Sequence, residues 1–235
     1  MKLRDNKGRG AISHVANRFE KQQRVQEHPE GVDEWEEMEA SERTKFIEVH
    51  PKSILNRIDS PDVPRSWGMN PYQGCEHGCS YCYARNSHEY WGYNAGPDFE
   101  RIVLYKSQAA ELLGKALRQK KWKGETIMLS GNTDCYQPAE KKLKITRALL
   151  EVCREYKQSL NIVTKNALIL RDLDILEEMA ADQLVNVAIS INGLDEKVRS
   201  KLEPRTSTYG KRLKAIEKLN EKGVPVRALI APVIP

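Results

Sequence analysis

The segment NPYQGCEHGCSYCYAR, residues 70–85, contains three cysteines in the spacing C-x3-C-x2-C: Cys75, Cys79 and Cys82. Gly74 and Gly78 directly precede the first two cysteines, and glycine permits the tight loop that several sulfurs around one centre require. Three thiolates can bind three irons of a cubane and leave the fourth iron open to a ligand from outside the protein. The segment therefore predicts a [4Fe–4S] cluster with one open iron.

A structural zinc ion is the alternative interpretation of the same cysteines. Zinc usually completes four ligands, and His77 or Cys135 can in principle supply the fourth. Zinc ligands typically come as two separated pairs, however, and the sequence has no second pair near this motif. The cluster is favoured, and His77 is expected to be a solvated loop residue. An iron–sulfur protein that only binds or transfers electrons is a third hypothesis.

The bulk composition indicates one soluble domain with an extension. A chain of 235 residues with 40% hydrophobic content can bury one sizeable core. Its first residues, MKLRDNKGRG, lack an apolar signal segment, and no stretch reaches the roughly 18 apolar residues that span a bilayer. Five cysteines is an odd number, which favours metal binding over disulfides. We therefore predict a cytoplasmic protein with no membrane partner.

Residues 1–65 differ from the rest in being polar and punctuated by prolines, so we predict a mostly irregular or helical N-terminal extension there. Residues 66–235 form the predicted main domain. The short basic motif KGRGA at 7–11 can contact phosphates, although a flexible solvated arm is favoured. The net charge of +5 is compatible with a nucleic-acid partner and equally with solubility alone.

The main domain alternates short apolar runs with helical periodicity, which predicts an α/β fold built on a parallel sheet. About five strands are expected, and a terminal strand buried on both faces needs a covering helix. The sequence therefore predicts a partial barrel, truncated after about the fifth strand. The predicted strands end near Asn70 and cover 126–131, 160–165, 186–193 and 224–235; the predicted helices cover about 107–120, 142–157, 170–182 and 208–222.

The C-x3-C-x-aromatic-C loop after a first predicted strand resembles the signature of the radical-SAM superfamily, and the resemblance extends over residues 66–235. Together with KGRGA, ANRFE and SGNTDCYQPAE it is most similar to an uncharacterised bacterial group in the spore-photolyase-like branch. The resemblance implies a (βα)6-type barrel, a [4Fe–4S] cluster and S-adenosylmethionine. It also implies a reductant such as flavodoxin or ferredoxin, and cleavage of S-adenosylmethionine to a 5′-deoxyadenosyl radical that abstracts hydrogen from an unknown substrate, with nucleic acid as one option.

In such a fold the loops at the carboxyl ends of the strands form the active site. The resemblance implies that Ser130, Gly131 and Asp134 replace the usual glycine-rich acidic motif for the amino group of S-adenosylmethionine, although an ordinary turn also explains them. Further cofactor contacts are expected from residues near other strand ends and in the cysteine loop. These are Lys165 for the methionine carboxylate, Ser190 and Asn192 for ribose or carboxylate, and Tyr81 against the cluster or adenine.

Two cysteines lie outside the motif. Cys153 falls on an apolar helical position and is expected in the core, whereas Cys135 follows the second strand and is expected to donate a hydrogen atom. The spore-photolyase resemblance puts the donor cysteine at position 129, where this sequence has Leu129, and this mismatch weighs against thymine-dimer repair. Arg205 is either an anion contact or a surface ion pair.

Overall fold

The apolar runs of the main domain form strands of one large sheet in the computed structural model, which describes residues 8–11, 13, 15–19, 43–59 and 66–233. The strands of these described residues are, in chain order, β1 (Lys45–Glu48), β2 (Leu55–Ile58), β3 (Ser66–Met69), β4 (Tyr72–Gln73), β5 (Ile102–Tyr105), β6 (Ile127–Leu129), β7 (Leu160–Thr164), β8 (Val185–Ser190) and β9 (Val226–Leu229). The large sheet has the order β2-β3-β6-β7-β8-β9. In this sheet β3, β6, β7, β8 and β9 pair in parallel, and β2 pairs antiparallel with β3.

A second, small sheet has the order β1-β5-β4. Strand β4 is only two residues long and lies directly before the cysteine loop, residues 74–82. Its pairing with β5, Tyr72 opposite Tyr105 and Gln73 opposite Leu104, fixes where that loop begins.

Helices occupy the connections between the parallel strands, as the βαβ pattern predicts. The α-helices are Pro97–Arg101, Ala109–Leu117, Glu140–Leu143, Ile145–Glu155, Leu173–Ala181, Glu196–Leu202 and Tyr209–Glu221, and the 3-10 helices are Tyr83–Trp91 and Ala167–Asp172. The long helix Tyr209–Glu221 begins where the Thr208 hydroxyl accepts the Lys211 N–H, and it is followed by Gly223 at φ +70°. The predicted helix over about 208–222 is therefore confirmed.

The α/β class is confirmed, and each predicted helix and strand has a counterpart that is equally long or shorter. Strands β1, β2, β4 and β5, the α-helices Pro97–Arg101 and Glu196–Leu202 and the 3-10 helix Tyr83–Trp91 were not predicted, because segments of two to nine residues carry too few residues for a periodic signal. The extension, expected to be mostly irregular or helical, contributes β1 and β2 to the two sheets. Its acidic stretch lies outside the described residues.

The two faces of the large sheet have different surroundings. Side chains alternate along a strand, so Ile127 and Leu129 of β6 point to one face and Met128 to the other. The first face is fully buried in the core beneath the helices, with Ile162 and Val187 from the neighbouring strands. Met128 and Val163 face a cavity on the second side. The fold thus leaves one face of its curved sheet available to a ligand.

This difference predicts unequal costs for the same substitution on the two faces. Val187→Ala removes a fully buried side chain and is expected to lower the free energy of unfolding by about 2 kcal/mol, from lost burial and the cavity left behind. Val163→Ala, on the cavity face of the adjacent strand, is expected to cost less than about 1 kcal/mol. Urea denaturation followed by circular dichroism measures both values, and equal costs would contradict the assignment of the faces.

Candidate active site

A cavity of about 590 Å³ lies at the carboxyl ends of the strands of the large sheet. Cys75, Cys79 and Cys82 line it together. The remaining wall comes from segments that follow separate strands of the sheet. Of the residues predicted to bind the cofactor, the structure brings Tyr81, Ser130, Gly131, Asp134, Lys165 and Ser190 to this cavity.

The cysteine loop depends on its glycines. Gly74 has φ +82°, and a Cβ atom there would lie 2.4 Å from the Ile102 carbonyl oxygen. Gly78 has φ +67°, and a Cβ atom there would lie 2.8 Å from Oε2 of Glu100. Both positions combine a left-handed backbone with close packing, which only glycine accommodates. The loop is thereby folded tightly enough to bring its cysteines to one cavity.

The three thiols lie in an apolar setting that disfavours their charge. Burial raises the pKa of Cys79 to about 12, although the nearby Lys165 charge opposes the rise. Burial likewise raises the pKa of Cys75 and Cys82. Such thiols ionise when a metal centre compensates the negative charge, so metal binding and proton release are coupled here.

The donor set at the cavity is three cysteines, which is the number of protein ligands that a cluster with one open iron takes. Across the described part of the chain, no three His, Cys, Asp or Glu side chains surround one position where a single ion would sit. Zinc requires four ligands around one point, whereas the thiolates of a cubane each bind a different iron. His77 is also engaged, since its Nδ1 lies 3.4 Å from Asp134 Oδ2 and its Nε2 lies 3.2 Å from Asn166 Nδ2. With only 1% of its surface exposed, His77 is not the solvated residue expected from sequence.

Asp134 connects three segments around the cavity. Its Oδ1 accepts hydrogen bonds from Thr164 Oγ1 at 2.8 Å and the Tyr136 N–H at 2.8 Å, and its Oδ2 accepts the Lys165 N–H at 2.7 Å. Burial opposes ionisation, but His77 and the backbone donors outweigh it and lower the Asp134 pKa to about 2. The carboxylate is therefore charged, with its acceptor sites largely occupied by protein groups.

Ser130 and Gly131 differ in whether their polar groups are available to a ligand in the cavity. The Ser130 hydroxyl donates to the Thr133 carbonyl at 2.8 Å and accepts the Cys135 N–H at 3.1 Å, so it organises its own loop. Gly131 is open, because a Cβ atom there would meet nothing closer than Met128 at 3.7 Å. The backbone at Gly131 can thus be approached closely from the cavity.

The side chains of Lys165 and Ser190 line the cavity and form no ion pair or hydrogen bond with the described residues. The ammonium of Lys165 lies 5.9 Å from the centre of the Tyr81 ring and forms no ion pair with any residue the structure describes. The Ser190 hydroxyl is buried and lacks a hydrogen-bond partner among the described residues. A buried hydroxyl without a partner is costly, so a polar ligand in this cavity would satisfy it.

The hydroxyl group of Tyr81 is held by side chains that lie outside the cavity lining. Its hydroxyl donates to Glu203, which pairs with the fully buried Arg212. Asn192 does not line the cavity; its Nδ2 donates to the Tyr81 hydroxyl at 3.2 Å, and its Oδ1 accepts from Tyr209 at 2.6 Å. Asn192 therefore reaches the cavity only through Tyr81, which differs from the direct cofactor contact expected from sequence.

A hydrogen-donor role for Cys135 does not fit its position. The thiol is fully buried in the hydrophobic core and does not line the cavity, because the loop turns the side chain towards the helices. Leu129 also belongs to this core, on the sheet face away from the cavity. Cys153 lies in the core as expected. Arg205 forms an ion pair with Glu76 at 3.0 Å.

Polar side chains that no sequence motif indicates connect the loop after β6 to the cysteine loop. The Gln137 side chain accepts the Glu76 N–H at 2.9 Å and donates to the Gly74 carbonyl at 3.1 Å, so it brackets Cys75. Thr133 donates from Oγ1 to the Tyr72 carbonyl at 2.8 Å. The segment SGNTDCYQPAE is rich in such side chains, and that composition was the available signal.

Residues 69–235 match the family model of the Radical SAM superfamily. An uncharacterized protein of Mycobacterium tuberculosis is 36% identical over 191 residues, covering 81% of this chain and 56% of the relative. An uncharacterized protein of Methanocaldococcus jannaschii is 30% identical over 193 residues, covering 82% of this chain and 69% of the relative. The chain therefore spans between about half and two thirds of the length of these relatives.

Among solved structures, spore photoproduct lyase complexed with dinucleoside spore photoproduct matches with a TM-score of 0.58 at 18% identity. The match covers 80% of this chain and 52% of that one. A variant of the same lyase holds AdoMet together with the dinucleoside. At this identity the likeness concerns the fold, and it confirms the expected partial barrel.

This chain belongs to the radical SAM superfamily, whose members use a [4Fe–4S] cluster and S-adenosylmethionine. The likeness to spore photoproduct lyase is a likeness of fold. Among the described residues, no helix has the length and apolar character needed to cross a bilayer.

The bracketing of Cys75 predicts a large effect for Gln137→Leu, which keeps the side-chain size but removes both hydrogen bonds. The free energy of unfolding of the metal-free protein is expected to fall by about 2 kcal/mol or more, because a backbone N–H and a carbonyl are left buried and unpaired. Gln119→Leu, at an exposed position, is the matched control. Urea denaturation of both variants tests this, and similar stabilities would argue against the bracket.

Proposed function

We propose that this chain is the catalytic part of a [4Fe–4S]-dependent radical SAM enzyme that abstracts hydrogen from its substrate, with Cys75, Cys79 and Cys82 as the cluster ligands. One observation carries the proposal. The three cysteines share a cavity with the ammonium of Lys165, which forms no ion pair with a described residue, and with the hydroxyl of Ser190, which has no hydrogen-bond partner among the described residues. Thiolates for a cluster and polar groups for an amino-acid-like cofactor therefore lie side by side.

When bound, the cluster and S-adenosylmethionine supply a 5′-deoxyadenosyl radical after one-electron reduction. The chain's own residues bind and orient the cofactor. Lys165 pairs with the methionine carboxylate, and Ser190 donates or accepts a hydrogen bond at the ribose or carboxylate. The carbonyl of Gly131, which also accepts from the Tyr83 hydroxyl, receives the amino end with its second lone pair. The Tyr81 ring packs against the cofactor, and Asn192 holds Tyr81.

In this proposal Asp134 positions the backbone and does not bind the amino group of S-adenosylmethionine, the role that its sequence position suggests. Four polar groups already contact its carboxylate: His77, Thr164, and the backbone N–H groups of Tyr136 and Lys165. These contacts support a positioning role in which Asp134 fixes the backbone at Lys165. Ser130, whose hydroxyl is used within its own loop, holds the turn that exposes Gly131.

The proposed partners follow from the chemistry. Radical SAM enzymes need a reductant, for which we propose a flavodoxin or ferredoxin. A cytoplasmic location suits this reductant and the free state of all five cysteines. Nucleic acid is a candidate substrate because the lyase of similar fold is complexed with a dinucleoside and this chain carries a net charge of +5. Repair by a cysteine hydrogen donor near the end of β6 is not supported. Position 129 is a leucine, and the side chains of Leu129 and Cys135 both lie in the core.

Anaerobic reconstitution with iron and sulfide tests the proposed reaction. The reduced protein is expected to convert S-adenosylmethionine to 5′-deoxyadenosine, detected by chromatography. Cys79→Ala is expected to abolish product because it removes a cluster ligand. Cys153→Ala, which alters a core cysteine away from the cavity, is the matched control and is expected to retain product formation. A coloured protein without product would favour electron transfer alone, and a colourless protein with one tightly held zinc would contradict the cluster.

Binding of a labelled single-stranded oligonucleotide tests the nucleic-acid branch. Fluorescence anisotropy is expected to show affinity that falls by roughly tenfold or more between about 50 and 200 mM salt, since phosphate contacts release counterions. Absence of binding at the lower salt concentration would remove nucleic acid as a candidate substrate.

A further inference from the structure

The N-terminal segment Arg9–Gly10–Ala11 contacts a buried carboxylate beside the cysteine loop. Glu100 has no exposed surface, and it lies in the short helix just before β5. Its Oε2 accepts the Gly10 N–H at 3.1 Å, and its Oε1 accepts the Ala11 N–H at 2.8 Å. A carboxylate without such donors is costly to bury. Two of the groups that satisfy Glu100 thus come from a segment about 90 residues away in sequence.

Arg85 extends this contact to a predicted cluster ligand. Its Nη2 donates to Glu100 Oε1 at 2.6 Å and to the Cys79 carbonyl at 2.9 Å, and its Nε lies 3.2 Å from the same carbonyl. A guanidinium has a rigid fork of donors, so the position of Glu100 constrains the backbone at Cys79. The N-terminal segment, Glu100, Arg85 and Cys79 form one continuous chain of hydrogen bonds.

Gly10 also packs directly against the cysteine loop. A Cβ atom at Gly10 would lie 1.8 Å from the Gly78 carbonyl oxygen, so only glycine fits this position. Arg9 donates from Nη1 to the Glu100 carbonyl at 2.8 Å. Arg9 is thereby engaged with the main domain, which is neither the phosphate contact nor the solvated arm considered for KGRGA; Lys7 lies outside the described residues.

A second anchor holds the same part of the chain. Asn17 donates from Nδ2 to the Glu89 carbonyl at 3.1 Å and to the Tyr93 carbonyl at 3.2 Å. Arg18 forms an ion pair with Glu89 at 2.5 Å. Asn17 and Arg18 thus attach this part of the chain to the 3-10 helix that follows the cysteine loop and to Tyr93 just after it.

We propose that the segment Arg9–Gly10–Ala11 is a clamp on the cysteine loop, and that Glu100 and Arg85 are positioning residues that transmit it to Cys79. The clamp keeps the Cys79 thiol shielded in the metal-free protein. It also slows the loss of iron from the cluster, which rests on the function proposed above. The N-terminal motif therefore serves the cofactor site without touching the cofactor.

Gly10→Ala tests the clamp, because its Cβ atom cannot occupy the same space as the Gly78 carbonyl. Gly210→Ala makes the same change where nothing lies within 4 Å and is the matched control. In the metal-free protein, alkylation of Cys79 by iodoacetamide is measured by mass spectrometry relative to buried Cys153. The ratio is expected to rise roughly tenfold in Gly10→Ala only, the factor implied by losing a hydrogen bond to a buried charge.

The reconstituted proteins give a second readout, the rate at which a chelator removes iron, which is expected to rise in Gly10→Ala and not in Gly210→Ala. Arg85→Lys keeps the charge but cannot reach Glu100 and the Cys79 carbonyl together, and it is expected to raise both rates. Trypsin cleavage after Arg9, within the segment itself, reports whether the segment is displaced.

Unchanged Cys79 alkylation in a Gly10→Ala protein that trypsin cleaves faster would overturn the clamp. Unchanged trypsin resistance would also overturn it, since the segment would then not be packed as described. If the wild-type protein forms no cluster, the proposed function fails, whereas the alkylation comparison still decides whether the clamp exists.

Discussion

The cysteine loop has almost no regular hydrogen bonding of its own, and the surrounding structure supplies what it lacks. A buried backbone N–H or carbonyl must find a partner. The Cys75 N–H donates to the Phe99 carbonyl at 2.8 Å, and the Ser80 N–H donates to the Leu202 carbonyl at 2.9 Å. Gln137 and Arg85 satisfy further groups of the loop. Segments distant in sequence must therefore fold together before three thiols can share one cavity.

The sheet makes this convergence achievable. Parallel strands bring all their carboxyl ends to one edge, so the segments after β6, β7 and β8 reach the cysteine loop without long excursions. The apolar side chains that hold the sheet together point to the helix side, as Leu129 and Ile162 do. The opposite face does not pack against the helices, so it can present the polar side chain of Ser190 to the cavity. Core and site are thus separated by the alternation of side chains along each strand.

Sequence patterns predicted the features that depend on local or periodic signals. The parallel sheet and its helices follow from apolar periodicity, and the shared position of the three cysteines follows from their spacing. The orientation of loop side chains was beyond such patterns. The sequence position of Cys135 predicts a place in the reaction space, but its thiol lies in the core. No sequence pattern marks Gln137, yet its side chain bonds to the backbone on both sides of Cys75. Both lie in an irregular segment, where no period indicates which side chain points inwards.

Buried ion pairs give the site its charge pattern. Several carboxylates surround the cysteine loop, and each is paired with a cation or imidazole from another segment: Glu76 with Arg205, Glu100 with Arg85, Asp134 with His77, and Glu203 with Arg212. Such pairs add little net stability, but breaking one leaves a costly buried charge, so they specify one arrangement of the loop. Because Glu76, Glu100 and Glu203 are each paired with an arginine, a carboxylate that enters the cavity meets the ammonium of Lys165, which forms no ion pair with the described residues. The same pairing that fixes the cysteine loop therefore leaves Lys165 available to a carboxylate group of the ligand.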